Sequence, residues 1–305
     1  MKKIIITGAT GMIGIALIKL LLSKNFEVVA IVRNKSSNYK FLPNDDRLKI
    51  IECDLENIEN LKIEDKNFDI MYHMAWEGTR GKDRDNVYMQ NKNIKYTLDA
   101  IKLAKKINCK CFVGTGSQAE YGRVEGLISA NTPIHPETAY GSAKYCAGNL
   151  SRILANQYDI KHIWCRILSI YGPNDNENSM IMTSIREMMN NNKSPEYTKA
   201  EQKWDYLYVD DLAKALYLIG EKGKNNSIYP IGNGKQEYLY KYIEEIRNQI
   251  NKNIKLKLGY KEYAQNQVMN LCADIRNLTE DTGFKPEINF KEGIKRTIEW
   301  YKRKE

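Results

Sequence analysis

The chain of 305 residues is poor in the residues that several protein classes depend on. It has three histidines, too few for a His-rich metal site, and no metal is expected. Its six cysteines, Cys53, Cys109, Cys111, Cys146, Cys165 and Cys272, are scattered. Cys109-x-Cys111 lies in a strand-like run without a second pair, so the thiols read as buried and reduced rather than as zinc ligands or disulfides. No segment approaches the roughly 18 uninterrupted apolar residues of a membrane helix. Met1-Lys2-Lys3 imitates the start of a secretory leader, yet Thr7, Gly8, Thr10 and Gly11 break the apolar run and no small-x-small cleavage site follows. A cytoplasmic protein is expected. Internal repeats and low-complexity linkers are missing too. The net charge of +9 comes from lysines interspersed with acids, a pattern of solvated faces and an anionic small-molecule ligand rather than a nucleic-acid track.

What is present is a core-forming composition, 42% hydrophobic, and one informative opening stretch. Ile4, Ile5 and Ile6 form a β-branched run of the kind buried in a parallel sheet. Gly8, Gly11 and Gly14 follow at every third position, ahead of a helix with Ile13, Leu17, Leu20 and Leu21 inward and Lys19 and Lys24 outward. Strand, glycine turn and helix together predict a dinucleotide site: the first glycine turns the chain, the second admits a pyrophosphate and the third packs helix on strand. Gly8, Thr10, Gly11, Met12, Ile13 and Gly14 are the expected phosphate-side contacts, with the anion on the helix's first N–H groups.

Asn25 ends this helix and Phe26 to Val32 forms a second strand. An acid after that strand would select NAD through the ribose, whereas a cation accommodates the extra phosphate of NADP. The residue is Arg33, followed by Asn34 and Lys35, so NADP is expected, with NAD the alternative. Leu48 to Cys53 and Phe68 to Met74 read as the next strands. Asp54 and Leu55 then lie where an adenine would sit, and Met74, Ala75 and Trp76 further along the cofactor path, where small Ala75 permits close approach. His73, with apolar neighbours, reads as a core residue. A helix is predicted from about Arg84 to Lys106, with Ile94, Leu98, Ile101 and Ala104 on its buried face. Asn93 on it is a candidate cofactor contact, although a helix-surface asparagine is the cheaper explanation.

Lys110 to Thr115 is a fifth strand that leads to Ser117 and Gln118, and Thr138 opens a helix carrying Tyr140 and Lys144 on one face. A phenol ionises near pH 10, and a lysine one turn away can draw that value toward neutrality. A serine hydroxyl on a neighbouring strand can polarise a carbonyl. Ser117, Tyr140 and Lys144 beside a nicotinamide therefore form a proton relay for hydride transfer. Ile160 to Leu168 and Ser227 to Ile231 read as strands, Trp204 to Val209 as a short one, and Ile254 to Leu258 as another. Glu177 to Asn192, Asp210 to Glu221, Gln236 to Ile250 and Phe290 to Tyr301 read as helices, and Gly232-Asn233-Gly234 as a turn.

Over essentially its whole length the chain resembles the extended short-chain dehydrogenase/reductases, in particular their nucleotide-sugar branch. The resemblance rests on Thr7 to Gly14, Asp54-Leu55, Ser117 to Gly122, Tyr140 to Lys144, Arg166 with Tyr171-Gly172-Pro173, Asp205 to Asp211, Gly283 to Pro286 and Gly293 to Trp300. It implies an α/β fold, a doubly wound parallel (Rossmann) sheet with a smaller C-terminal α/β substrate domain. Residues 1–168, with 204–231 returning, would bind NAD(P), and 169–203 with 232–305 the substrate. It implies catalytic roles for Ser117, Tyr140 and Lys144, the lysine also holding the nicotinamide ribose, with Gln118, Ser169, Trp204 and Arg276 as substrate candidates. A homodimer through the helices near 84–106 and 139–156 is implied as well.

Departures narrow the chemistry. The family's 4,6-dehydratases carry Asp-Glu after the serine or threonine, where this chain has Gln118-Ala119, and the Cys and His pair of C3 and C5 epimerisation is missing. A reductase of a 4-keto-6-deoxy nucleotide sugar is expected, with an NAD-retaining 4-epimerase, and beyond it a non-catalytic cofactor sensor, as alternatives. Where many epimerases place diphosphate-gripping arginines, this chain has Trp204 and Tyr263-Ala264-Gln265.

Overall fold

The computed structural model describes residues 1–33 and 37–304. The isoleucine run forms β1 (Lys3–Thr7), and all three isoleucines are fully buried because the sheet is covered on both faces. The strand's period of two sends Ile4 and Ile6 into one helical layer and Ile5 into the other. The first layer holds α1 (Met12–Ser23) and α5 (Val209–Lys222), with Leu17, Leu21, Leu212 and Leu216 inward. The second holds α2 (Val87–Lys106) and α3 (Ala139–Gln157), which pack side by side. Between them lie β2 (Glu27–Val32), β3 (Leu48–Glu52), β4 (Ile70–His73), β5 (Cys111–Ser117), β6 (Lys161–Ile167) and β10 (Ser227–Ile231). The seven strands run parallel in the order β10-β6-β5-β4-β1-β2-β3. The chain winds outward in both directions from β1 and β4. At such a switch point the crevice beyond the strands' C-terminal ends is open to a ligand.

Capping places the helices flanking that crevice. Asn25 takes a left-handed conformation (φ 62°) beyond α1, the stop its sequence predicts. Asn86 caps α2 by accepting from the Met89 amide at 3.1 Å. The helix therefore starts at Val87 rather than near Arg84, and residues 81–85 form a 3₁₀ turn. Thr138 caps α3 by accepting from the Gly141 amide at 3.0 Å, which fixes Tyr140 in the first turn.

Outside the large sheet, β7 (Ser169–Tyr171) pairs in parallel with β9 (Tyr206–Tyr208), and β8 (Lys203–Trp204) runs antiparallel to β11 (Glu237–Tyr238). The helices α4 (Met180–Asn190), α6 (Leu239–Ile250) and α8 (Phe290–Lys304) enclose a third core that includes Tyr171, Tyr208, Tyr242, Ile243 and Ile294. α7 (Arg276–Thr282) packs against α5 and β10. Buried Asp205 ties segments remote in sequence, accepting from the amides of Asn233 (2.6 Å), Gly234 (3.0 Å) and Ala273 (3.0 Å). Asp211 does the same for Glu287 and Ile288. Two local expectations fail here. Helix α6 starts at Leu239 rather than Gln236, because Glu237 and Tyr238, after the Gly232–Gly234 turn, pair with the distant β8. Residues 254–258 form no strand, only an isolated bridge between Lys257 and Glu196. Both outcomes are set by long-range partners that a local pattern does not contain.

Candidate active site

Beyond the ends of β1, β2 and β4 lies a groove of about 390 Å³. Gly8, Thr10, Gly11, Arg33, Leu55, Met74, Ala75 and Trp76 line it, which brings eight expected positions together, with Thr7, Val32 and Glu77 alongside. Gly8 holds φ +74° and its added Cβ would lie 2.7 Å from the Ala75 nitrogen, so the turn and the neighbouring strand end fit only without a side chain. An added Cβ on buried Gly14 would strike the Gly8 carbonyl oxygen. α1 starts behind Gly11, whose lack of a side chain leaves it without a side-chain cap, so its first turn opens at the groove's edge. Ile13, half-buried, packs against the sheet's core and Met12 against the third core. Arg33 is exposed at the end of β2; Asn34 and Lys35 lie outside the described residues. Asp54 is exposed, next to lining Leu55.

Asn93 is 1% exposed, so it is not a surface asparagine. Its side chain accepts from the Glu77 amide at 2.8 Å and donates to the Glu77 carbonyl at 3.1 Å, fixing the backbone next to Trp76. His73 is a core residue, as expected. Burial, helped by the charge of Lys144, pushes its imidazole down to about 3, and it shares a hydrogen bond with Thr7 at 2.9 Å.

Lys144 is 3% exposed, and its ammonium donates to the Thr115 carbonyl at 2.7 Å while lying 3.8 Å from the Trp76 ring. Burial pulls its pKa down to about 7. Tyr140 is 8% exposed and meets the Trp76 edge at 6.1 Å. Burial pushes its phenol above the usual value of 10, and a hydrogen bond with Ser117 and the charge of Arg84 draw it back down. The sequence assigned that pull to Lys144. In the fold the Lys144 ammonium is 5.8 Å from the Tyr140 ring and engaged elsewhere, whereas the Arg84 guanidinium is 4.4 Å away.

Ser117 ends β5 and starts a short 3₁₀ turn with Gln118, its hydroxyl accepting from the Ala119 amide at 3.2 Å. The Ser117 amide donates at 2.8 Å to Glu120, which is fully buried and also bonds Trp164 (3.0 Å) and Arg166 (2.6 Å). Sequence reading missed Glu120. The signal was there, since a serine followed three residues later by glutamate is a capping box. Arg84 and Gln90 were missed because only the folded loop shows what they hold. Of the substrate candidates, Gln118 is half-buried, and Ser169 accepts from the Trp204 indole at 2.7 Å. Arg276 forms a bidentate pair with Asp274 (2.6 and 2.9 Å) and its side chain is 79% exposed, away from the groove's lining.

A doubly wound sheet with a glycine-lined groove at its switch point, flanked by a buried Tyr and Lys and a half-buried Ser, defines a dinucleotide-binding protein of the short-chain dehydrogenase/reductase type. The family model for the NAD dependent epimerase/dehydratase family matches residues 4–232, and the chain belongs to that family. Similar proteins include a putative UDP-glucose 4-epimerase of Methanocaldococcus jannaschii, 26% identical with 98% of each chain covered. A CDP-abequose synthase of Salmonella muenchen is 25% identical over 97% of each. Among solved structures, the UDP-N-acetylglucosamine 4-epimerase from Methanobrevibacter ruminantium M1, in complex with UDP-N-acetylmuramic acid, superposes with a TM-score of 0.90 at 24% identity, covering 100% of this chain and 99% of the other.

Proposed function

We propose that the chain reduces the 4-keto group of a 6-deoxy nucleotide sugar with NADPH, in the synthesis of surface polysaccharides. The observation that carries this reading is that buried Tyr140 and Lys144 both pack on Trp76, which lines the groove, with half-buried Ser117 at the end of the neighbouring strand. Gly8 and Gly11 leave room for a pyrophosphate, and the first turn of α1 offers it amides. Arg33 lies where an adenosine 2′-phosphate would need a cation. The nicotinamide, when bound, supplies the hydride. The chain's own task is the proton: Tyr140 donates it to the carbonyl oxygen that becomes the hydroxyl, and Ser117 steadies that oxygen. Lys144 takes the ribose hydroxyls and exchanges protons near pH 7. Residues 169–203 and 232–305 take the sugar nucleotide, with Gln118, Ser169 and Trp204 facing it. The family's description and the epimerase relative favour a second reading, an NAD-retaining 4-epimerase that oxidises and re-reduces the same carbon.

Absorbance at 340 nm with 4-keto sugar nucleotides separates the two. The reductase oxidises one NADPH per sugar, the epimerase none. In either case Tyr140→Phe is expected to lower turnover by about 10²- to 10⁴-fold while cofactor affinity stays within a few fold; unchanged turnover would remove the tyrosine from the chemistry. The reading includes a cytoplasmic homodimer built through α2 and α3, where the exposed side chains Val87, Tyr88, Tyr145, Leu150 and Ile153 are candidates for burial.

A further inference from the structure

Residues 76–86 are held by two side chains of α2. Gln90 and Asn93 are each 1% exposed, an expensive place for an amide unless every group is used. They are used. Gln90 accepts from the Trp76 indole at 2.8 Å and donates to the carbonyls of Gly78 (2.7 Å) and Asp83 (2.8 Å). Asn93 grips both backbone groups of Glu77. Trp76 is thereby set on edge against Tyr140, and the turn 81–85 is set so that Arg84 lies over the same ring, its Cζ 4.4 Å from the centroid. Arg84 also donates to the Thr79 carbonyl at 3.4 Å.

We propose that Arg84 is a positioning residue for Tyr140: the Gln90 and Asn93 clamp delivers its guanidinium to the ring face, where it fixes the phenol and stabilises the phenolate left when the proton departs. The inference rests on the proposed role of Tyr140 as the proton donor. Four other groups face the phenol. Ser117 favours its ionisation, Trp76 meets it edge-on, the Glu120 carboxylate opposes its ionisation, and Lys144 on the same helix is engaged by Thr115 and Trp76. Burial alone would keep the phenol protonated far above neutral pH, and Arg84 is the cation that acts against it. The proton itself goes from the Tyr140 oxygen to the substrate oxygen, and no bond to Arg84 forms or breaks.

The test needs no turnover. The full chain is labelled with 3-fluorotyrosine, the Tyr140 fluorine resonance is assigned by its loss in Tyr140→Phe, and its ionisation is followed by NMR. Arg84→Met is expected to move the midpoint to higher pH, Arg84→Gln to move it the same way, and Arg84→Lys to restore most of the wild-type value. A midpoint that is unchanged or lower in both neutral variants overturns the proposal, as does a wild-type resonance that does not titrate before the fold is lost. A Tyr140→Phe protein with full turnover would instead sink the proton-donor reading, whatever the titration shows.

Discussion

A single lysine illustrates how burial rather than residue type decides chemistry here. Lys144 has the same four-carbon stem as the protein's surface lysines, yet the sheet and Trp76 remove it from water and its ammonium becomes costly. With the folded value near 7 and the usual value of 10.5 in the unfolded chain, the unfolded state holds more protons between those limits. Stability therefore rises with pH through that window, and the penalty of the buried charge is present in full below it. Between pH 7 and 8, below the usual cysteine value, Lys144→Met is expected to flatten the cofactor-free stability profile by up to about 1.4 kcal/mol per pH unit. Urea denaturation at several pH values checks this; parallel profiles for the two proteins would mean that the ammonium is solvated.

Glycines in β5 and α3 explain an element that pattern alone leaves obscure. Gly114, Gly116 and Gly148 all face the indole of Trp164, and Glu120 fixes that ring through its N–H. Strand and helix can approach only because these positions lack side chains, and Ala143 and Ala147 of the same helix are buried beside them. The small residues of α3 thus serve packing on the sheet. On an open helix surface Gly→Ala gains about 1 kcal/mol. At Gly148 the added methyl would lie 2.7 Å from the indole, so Gly148→Ala is expected to destabilise by about 1–3 kcal/mol. Thermal unfolding read by tryptophan fluorescence decides the sign, and a raised melting temperature would show that the ring can move.

At the scale of the molecule, α2 and α3 leave a band of large apolar side chains in water, with Tyr88 83%, Val87 59% and Ile153 48% exposed. Single exposed apolar residues are ordinary, but these share one helical layer with Tyr145 and Leu150. A second copy of the chain would cover them. Ile153→Lys is expected to convert the proposed dimer to monomer in sedimentation at micromolar concentration; a wild-type chain that sediments as a monomer ends that reading.

Sequence alone determined much of this protein. The isoleucine run, the glycine turn and the Tyr-x-x-x-Lys spacing are local, and each carries its physical reason within a few residues, so the first βαβ unit and the groove's lining were legible. The doubly wound parallel sheet followed from the resemblance to the extended short-chain dehydrogenase/reductases, with which the strand and helix patterns agree. The tertiary structure decided what depends on partners far along the chain. It showed that Asn93 is a buried clamp, that Glu120 anchors Ser117 and Arg166, that Arg276 pairs with Asp274, and that residues 254–258 are no strand. It also moved the cation over Tyr140 from Lys144 to Arg84. A helical period states which side chains share a face, whereas burial, hydrogen-bond partners and charge at a buried ring are set by elements the local sequence does not contain.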